Sequence, residues 1–389
     1  MRVLFVSPSM PRYPFNGYEA IIAKRVSDLA GRISSYAIVC GDGDDSEGKC
    51  FHGVSALGRR RVGSVVGAIF SGLLGRPLQT GMFPQGRLAK TVERGIAEWK
   101  PDLVDAVMLR VAPSVARIRD LPVVHTLVDS MWRNFESRAA RAKGLKKLIY
   151  TVEARRCRLM EERIASSGRH IMVVSNEDGA HMRAKGGRVH VIPIGVDTTV
   201  FCRSDHAVKD QCEVIFSGNM YYEPNVTAVV WFIDHCWPMI RRERPACTFN
   251  VVGNRPPASL VRYDGVNGIR ILGRVHSIAE HLCGAKIALA PMQSGSGLQF
   301  KVLEALSCSI PVIATPIAMG GFSRRVVPGT LCIDGAVQFG EAVLELLDAD
   351  GRRRELGAAG RRFVAEEYSW SAQSEKAMAV YEAAVAWRR

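Results

Sequence analysis

A glycine turn followed by a lysine and a glutamate is the part of this 389-residue chain best suited to chemistry. Gly295, Ser296 and Gly297 come directly after the apolar run KIALAP. A strand, a glycine turn and then a helix present free backbone N–H groups to one spot, which suits a phosphate. Lys301 and Glu304 lie three residues apart and share a helix face. They would offer an ammonium to a diphosphate and a carboxylate to sugar hydroxyls; an ordinary turn with a surface ion pair is the alternative.

The elements that must position these residues are strands, because apolar runs of strand length alternate with helical patterns along the chain. The runs are continuous rather than alternating, which indicates strands buried on both faces of parallel sheets. Two α/β domains follow from this pattern. The runs are residues 3–6, 36–40, 103–108, 123–126, 171–174 and 189–192, and then 213–216, 249–252, 269–272, 286–290, 312–314 and 330–333.

The length of the chain also favours two domains, at roughly 100–200 residues for each. The polar stretch before the run EVIF predicts a division into residues 1–207 and 208–365, with helices in residues 366–389 packing back on the first domain. A ligand of such a pair would lie between the domains, at the carboxyl ends of the strands.

Several ordered segments closely resemble the GT-B glycosyltransferases of family 4, especially the exopolysaccharide-type members. The resemblance covers nearly the whole chain, and the order of the segments carries it rather than any one of them. The segments are PFNG, IPIGVDTTVF, SGNMYYEPN, VVGN, ILGRV, GSGLQFKVLEALSCSIPVIAT and LLDADGRRRELGAAGRRFVAEEYSW.

The resemblance implies an α/β protein of the GT-B fold, with two Rossmann-like domains whose parallel sheets face a central cleft. It implies a retaining, hexosyltransferase-type enzyme that moves a sugar from a nucleotide-sugar donor to a lipid-linked or polysaccharide acceptor in envelope or exopolysaccharide biosynthesis. A nucleotide-sugar epimerase or a phosphorylase of the same fold is the alternative within this chemistry. A basic nucleic-acid-binding protein is the alternative from a different class.

By the same resemblance, Glu304 binds the donor ribose, and Lys301 binds the diphosphate and acts in catalysis. The family often has a second Glu eight residues before the ribose Glu, where this chain has Ser296. Direct binding of the donor sugar by that carboxylate is therefore missing. The donor-binding set that we expect is Gly218, Asn219, Arg274, Gly295, Ser296, Gly297, Leu298, Gln299, Lys301 and Glu304.

In the first domain, His125 and Asp129 follow a predicted strand and are further catalytic candidates. A polar group here would position the acceptor or stabilise positive charge at the anomeric carbon. A structural histidine and a helix cap formed by Asp129 and Ser130 are the alternatives. Asn16 and Gly17 form the acceptor-side loop that the resemblance implies.

Two Asp-x-Asp triplets, at residues 42–44 and 348–350, have the residue types of a divalent-metal site. Both resemble solvated turns, and GT-B enzymes generally need no bound metal. We therefore expect neither a metal ion nor another cofactor.

The net charge of +14 and the pI of about 9.5 favour a polyanionic partner. Aromatic residues make up only 7%, and no nucleic-acid-binding motif is found, so we expect no nucleic acid. Residues 133–169 are rich in Lys and Arg beside Leu145, Leu148, Ile149 and Val152. This pattern predicts an amphipathic helix on an anionic membrane surface, with a solvated helix face as the alternative.

The ten cysteines stand alone, without a CxxC pair, which is typical of reduced thiols in a cytosolic protein. The longest apolar stretch, residues 64–75, is too short to span a bilayer but long enough to touch one. We therefore expect a cytoplasmic protein that is peripheral on the inner face of the cell membrane.

Overall fold

The computed structural model describes residues 1–11, 17–41, 51–58, 61–202, 212–295, 297–322, 324 and 326–387, without the side chains of residues 61–65, 69, 141 and 212. Asn16, Ser296 and the first Asp-x-Asp triplet lie outside the described residues. The chain forms two compact units, one of Met1–Gly195 with Gln373–Arg389 and one of Val196–Ala372.

The first unit is built on a seven-stranded parallel sheet in the order β3-β2-β1-β4-β5-β6-β7. The strands β1, β4 and β5 are buried almost throughout, as continuous apolar runs require. The strands are β1 (Arg2–Ser7), β2 (Ser34–Val39), β3 (Gly53–Ala56), β4 (Leu103–Val107), β5 (Val123–Val128), β6 (His170–Val173) and β7 (Arg188–Val191).

Helices connect these strands, and a last helix contributes most of its length to the same unit. The helices are α1 (Tyr18–Asp28), α2 (Arg61–Leu73), α3 (Leu78–Gly81), α4 (Gln85–Trp99), α5 (Ala112–Val115), α6 (Met131–Arg141), α7 (Gly144–Ala165) and α8 (Asn176–Arg183), with α17 (Trp370–Ala386) at the end of the chain.

The second unit is built on a six-stranded parallel sheet in the order β10-β9-β8-β11-β12-β13. Its strands are β8 (Cys212–Ser217), β9 (Phe249–Val252), β10 (Ile269–Gly273), β11 (Ala285–Ala290), β12 (Val312–Ala314) and β13 (Thr330–Cys332). Its helices are α9 (Glu223–His235), α10 (Trp237–Glu243), α11 (Ala258–Val261), α12 (Ile278–Cys283), α13 (Phe300–Ser307), α14 (Pro316–Met319), α15 (Ala336–Asp348) and α16 (Asp350–Glu367).

The strand order of each sheet reverses once, between β1 and β4 in the first unit and between β8 and β11 in the second. Ligands of open parallel sheets bind outside the carboxyl ends of the strands at such a reversal. The loops that follow β8 and β11 contain the glycine turns of the predicted donor site.

A buried polar network ties the last helix to the first sheet. The Asp105 carboxylate of β4 accepts hydrogen bonds from Tyr381 of α17 at 2.5 Å and from Arg25 of α1 at 3.2 Å. The two units divide at Gly195 and Ala372, whereas the sequence pattern divides the chain at 207 and 365. Val196 pairs with Ser369 through backbone hydrogen bonds, which brings the start and the end of the second unit together.

Each of the twelve predicted runs forms a strand, and the structure adds the half-exposed β3, which has no long apolar run. The basic stretch of residues 133–169 contains two helices, α6 and α7, separated by Ala142 and Lys143, whose backbone is extended. Cys332 lies in the apolar run of residues 330–333, yet it is exposed at the end of β13.

Candidate functional site

Lys301 lies in the first turn of α13, and its ammonium group is held by three acceptors. Its Nζ atom is 3.0 Å from Asn225 Oδ1, 2.9 Å from Gln299 Oε1 and 3.5 Å from Met292 Sδ. It also lies over the ring of Phe216, 5.3 Å from the centroid. The thioether is a weak acceptor, so an anionic ligand can replace it as the partner of the third N–H group at the lowest cost in free energy.

Burial shifts the pKa values of Lys301 and Glu304 toward each other. Desolvation lowers the pKa of Lys301 to about 8, opposed by the charge of Glu304. Desolvation raises the pKa of Glu304 to about 7, opposed by the charge of Lys301. Both side chains are half-buried rather than fully exposed. Within the described part of the chain, the Glu304 carboxylate has no hydrogen-bond partner, and it is available to ligand hydroxyls.

The loops around Lys301 approach one another so closely that they require glycine. A Cβ atom on Gly253 would collide with the carbonyl of Gly218, and one on Gly321 would collide with the carbonyl of Gly297. Gly297 also has a φ of 86°, in the region that favours glycine. The loop after β9 thus packs closely against the loop after β8, and the backbone at Gly321 packs closely against the loop after β11.

Asn225 is a functional candidate that the sequence analysis missed. It is buried in the first turn of α9, where its Oδ1 accepts from Lys301 and its Nδ2 donates to the Asn219 carbonyl at 2.9 Å. It therefore joins the loop after β8 to the lysine of α13. The signal was the segment SGNMYYEPN, whose last residue is Asn225.

The other predicted donor residues lie in the same unit with different surroundings. Asn219 is exposed, and its Oδ1 accepts from the Tyr221 amide at 3.1 Å. Gly295 and Leu298 lie in the loop before α13. Arg274 is exposed directly after β10, the edge strand, and does not share the Lys301 contacts.

A cavity of about 510 Å³ adjoins this place, within the range typical of ligand sites. Met292, which contacts Lys301, is one of its walls. Trp231, His235, Thr315 and Asp334 line it as well, so the cavity combines an aromatic wall with polar groups.

Asp129 lies at the carboxyl edge of the first sheet, directly after β5. Burial raises its pKa, the carboxylates of Asp178 and Glu161 raise it further, and Arg110 lowers it. Ser130 is the N-cap of α6, and its hydroxyl accepts from the Arg133 amide at 3.4 Å. The helix cap is therefore Ser130, and the Asp129 side chain is not used for it.

His125 is not at a strand end, because β5 continues to Val128. Its side chain is buried, with Nε2 3.5 Å from the Arg169 guanidinium. Desolvation, followed by the charge of Arg169, lowers the pKa of His125 to about 3. The expectation that His125 faces a ligand from the strand end is therefore wrong, and the structural alternative describes it.

Two strained residues at the first sheet's carboxyl edge could not be anticipated. Met108 after β4 and Val128 at the end of β5 have positive φ angles of 69° and 63°. Such angles are rare for side chains with a Cβ, and for branched valine they are costly. Strain of this kind is frequent at functional sites, and here it flanks Asp129. Gly17, the described part of the expected acceptor-side loop, is exposed at the start of α1.

The second Asp-x-Asp triplet is a junction between two helices. Asp348 ends α15 and pairs with Arg244, and Asp350 begins α16 and pairs with Arg353. Across the described ranges, no three His, Cys, Asp or Glu side chains are grouped to hold a metal ion.

The basic face of α7 is exposed as the sequence predicts. Lys143, Lys146 and Lys147 are exposed, and beside them Leu145 and Leu148 are 72% and 60% exposed. Among the helices that the structure describes, none has both the length and the apolar character needed to cross a membrane.

Two family profiles match most of the chain in consecutive segments. The profile of Glycosyltransferase Family 4 matches residues 55–200, in the first unit. The profile of Glycosyl transferases group 1 matches residues 211–349, in the second unit.

Two curated relatives are mannosyltransferases. The GDP-mannose-dependent monoacylated alpha-(1-6)-phosphatidylinositol monomannoside mannosyltransferase of Corynebacterium glutamicum is 33% identical over 36% of this chain and 40% of its own length. The MMP alpha-(1->4)-mannosyltransferase of Mycolicibacterium hassiacum is 26% identical over 68% of this chain and 66% of its own length. The chain thus matches less than two thirds of either relative.

Solved structures show the same fold over almost the entire chain. Sucrose-phosphate synthase from Thermosynechococcus elongatus has a TM-score of 0.64 at 15% identity and covers 99% of both chains. WaaG, a glycosyltransferase involved in lipopolysaccharide biosynthesis, has a TM-score of 0.58 at 16% identity and covers 97% of this chain and 99% of its own. With its two parallel sheets and both family profiles, the chain belongs to the family 4 glycosyltransferases and has their two-domain α/β GT-B fold.

Proposed function

We propose that this protein is a retaining glycosyltransferase that transfers a hexosyl unit from a nucleotide sugar to a lipid-linked or polysaccharide acceptor in envelope or exopolysaccharide assembly. The observation that carries the proposal is the Lys301 ammonium, held by Asn225 and Gln299, together with the Glu304 carboxylate, to which no described residue donates a hydrogen bond. Family membership supports it, as does the activity named for the two mannosyltransferase relatives. HepE from Anabaena, solved in complex with UDP, has the same fold.

In the proposed reaction, the bond between the anomeric carbon and the diphosphate oxygen breaks, the acceptor hydroxyl oxygen bonds to the same face of the sugar, and its proton passes to the leaving diphosphate. Negative charge grows on the leaving diphosphate. We assign its stabilisation to the Lys301 ammonium and to the free amides at the start of α13. Glu304 accepts hydrogen bonds from the ribose hydroxyls, because no described residue donates a hydrogen bond to its carboxylate.

We assign Asp129 to the acceptor side. Its raised pKa favours a carboxyl group that takes part in proton exchange, and when ionised the group would stabilise positive charge at the anomeric carbon. The neighbouring carboxylates Asp178 and Glu161 sustain that shift.

A thermal-shift screen over UDP-, GDP-, ADP- and dTDP-sugars tests the donor site, since a ligand of the folded state raises the melting temperature. We expect one nucleotide class to stabilise the wild type and the control Glu341→Gln, an exposed glutamate of α15, but not Glu304→Gln. Product analysis with and without acceptor then separates transfer from epimerisation. Equal stabilisation of all three proteins would contradict the assignment.

We also propose that the reaction needs no metal ion, because Lys301 and the α13 amides supply the positive charge. Activity should therefore survive exhaustive EDTA treatment. Activity that is lost with EDTA and restored by Mg²⁺ would overturn this.

We propose that the protein works at the cytoplasmic face of an anionic membrane, through the exposed lysines of α7. Each basic residue near such a surface contributes roughly 1 kcal/mol. The change Lys143→Glu, Lys146→Glu and Lys147→Glu should release the protein from anionic vesicles and leave nucleotide-sugar binding intact. Co-sedimentation insensitive to salt and to this triple change would leave α7 an ordinary solvated helix.

A further inference from the structure

Helix α2 exposes its large apolar side chains. Val66, Phe70, Leu73 and Leu74 are 65%, 63%, 81% and 54% exposed. Their spacing of four, three and one residues places them along one side of the helix. The helix begins at Arg61, and no charged residue occurs between there and Arg76.

Among the described residues of α2, those that contact the segment after the helix are small or polar. The buried Ser71 hydroxyl lies 3.0 Å from both the Pro77 carbonyl and the Thr80 hydroxyl. A Cβ atom on Gly67 would collide with the Gly81 carbonyl of α3. The four described apolar side chains therefore face solvent, and exposed apolar faces of this kind mark interaction surfaces.

A cavity of about 520 Å³ lies beside this face. Phe70, Leu74, Met82 and Phe83 form an apolar part of its wall. Its lining also includes Arg76 and Arg87, both exposed, and, among the described residues, no carboxylate. A cavity of this composition suits a ligand with an apolar chain and an anionic group.

The cavity adjoins the carboxyl edge of the first sheet. Gln85, a lining residue, donates to the Arg110 carbonyl at 2.9 Å, and the Arg110 side chain donates to Gln79 at 3.1 Å. Arg110 is also the cation that acts on Asp129. The cavity is thus linked through Gln85 and Arg110 to the edge of the sheet that carries Asp129.

The same face borders the basic helix α7. Arg156 of α7 donates to the Gly72 carbonyl at 2.8 Å, and Glu153 accepts from the Leu78 amide at 2.9 Å. Apolar side chains and exposed lysines therefore occur on two helices that contact each other. This combination is typical of surfaces that lie in the headgroup region of anionic membranes.

We propose that the α2 cavity binds the alkyl chain of a phosphate-bearing lipid that carries the acceptor saccharide, with Arg76 and Arg87 binding its phosphate. The exposed face of α2 then lies in the membrane interface from which the lipid enters. This inference rests on the proposed function and narrows its acceptor to a lipid phosphate.

Calorimetric titration with octyl phosphate, octanol and inorganic phosphate tests the site directly, at concentrations below micelle formation. We expect octyl phosphate to bind more tightly than either fragment, because chain and phosphate are held together. Phe70→Asp with Leu74→Asp, and separately Arg76→Ala with Arg87→Ala, should each weaken octyl phosphate binding by about tenfold or more. Val261→Asp, at a 47% exposed valine of the second unit, is the matched control.

Nucleotide-sugar binding, measured on the same samples, tests the proposed function separately and should be unchanged in every variant. Octyl phosphate that binds no better than inorganic phosphate, or equally to all variants, would overturn the lipid site. Self-association of the wild type that Phe70→Asp abolishes, without lipid binding, would overturn it too, because α2 would then bind a second copy.

Discussion

The two sheets of this protein follow one plan, yet their carboxyl edges carry opposite arrangements of charge. In the second unit, one ammonium and one carboxylate, Lys301 and Glu304, are desolvated together. In the first unit, Asp129 shares its surroundings with Asp178 and Glu161, and Arg110 is the opposing charge.

This difference indicates that the two carboxyl edges have different roles. A cation that is held by neutral acceptors keeps its positive charge available to a polyanionic ligand. Among the described residues, no carboxylate contacts the cation directly. When neighbouring carboxylates raise the pKa of one carboxyl group, that group can take part in proton exchange. We therefore propose that the second edge binds the donor and stabilises its leaving diphosphate, and that the first edge serves the acceptor.

The largest effect should follow removal of the cation in the second unit. Lys301→Ala should lower kcat by about a hundredfold and donor affinity less, because charge on the diphosphate grows toward the transition state. Steady-state kinetics would measure both. Lys286→Ala, which removes an exposed lysine paired with Glu213 in the same unit, should change neither. A rise in KM with unchanged kcat would make Lys301 a binding residue only.

The pKa values of the second unit predict a narrow pH optimum for donor binding. Glu304 is charged above about pH 7 and Lys301 below about pH 8, so both are charged only between these values. Affinity should fall on both sides, and Glu304→Gln should remove the acidic fall while weakening binding about tenfold to a hundredfold. If donor affinity still falls at low pH in Glu304→Gln, a group other than Glu304 causes that fall.

Asn225 should act by positioning Lys301. Asn225→Ala removes one strong acceptor of the ammonium and should lower kcat about tenfold. Asn225→Asp restores an acceptor, so activity should recover in part, and its charge should shift the alkaline fall in rate to higher pH. An alkaline fall at the same pH in both variants would show that Asn225 is merely structural.

The smallest effect concerns stability rather than activity. Ser309 follows α13 with a φ of 62°, where glycine is usual. Ser309→Gly should raise the free energy of unfolding by up to about 1 kcal/mol, because the left-handed strain is relieved. Ser166→Gly, at the end of α7 with a φ of −71°, should lower it. Denaturant unfolding measures the change in the free energy of unfolding for each variant. Changes of equal size and sign would contradict this prediction.

The sequence predicted the strands and the Lys301 and Glu304 pair because both depend on local pattern. A strand buried on two faces needs a continuous apolar run, and residues three apart on a helix share a face. Asn225 is 76 residues from Lys301, so only the fold brings them together. No local sequence pattern therefore predicts that these two side chains are in contact.

The first unit was predicted less well, for reasons that lie in the backbone. A strand end placed two residues early made His125 a site candidate, whereas Val128 completes β5 in a strained conformation that no propensity anticipates. The apolar stretch of residues 64–75 was recognised as able to touch a membrane, but its pattern alone does not tell which side of α2 meets water.

Calorimetry with UDP and GDP tests the division between the two edges most directly. The nucleoside diphosphate that binds the wild type should lose about tenfold or more in affinity to Glu304→Ala and bind Asp129→Asn with unchanged affinity. Affinity that is lost with Asp129→Asn and kept with Glu304→Ala would contradict the placement of the donor on the second unit.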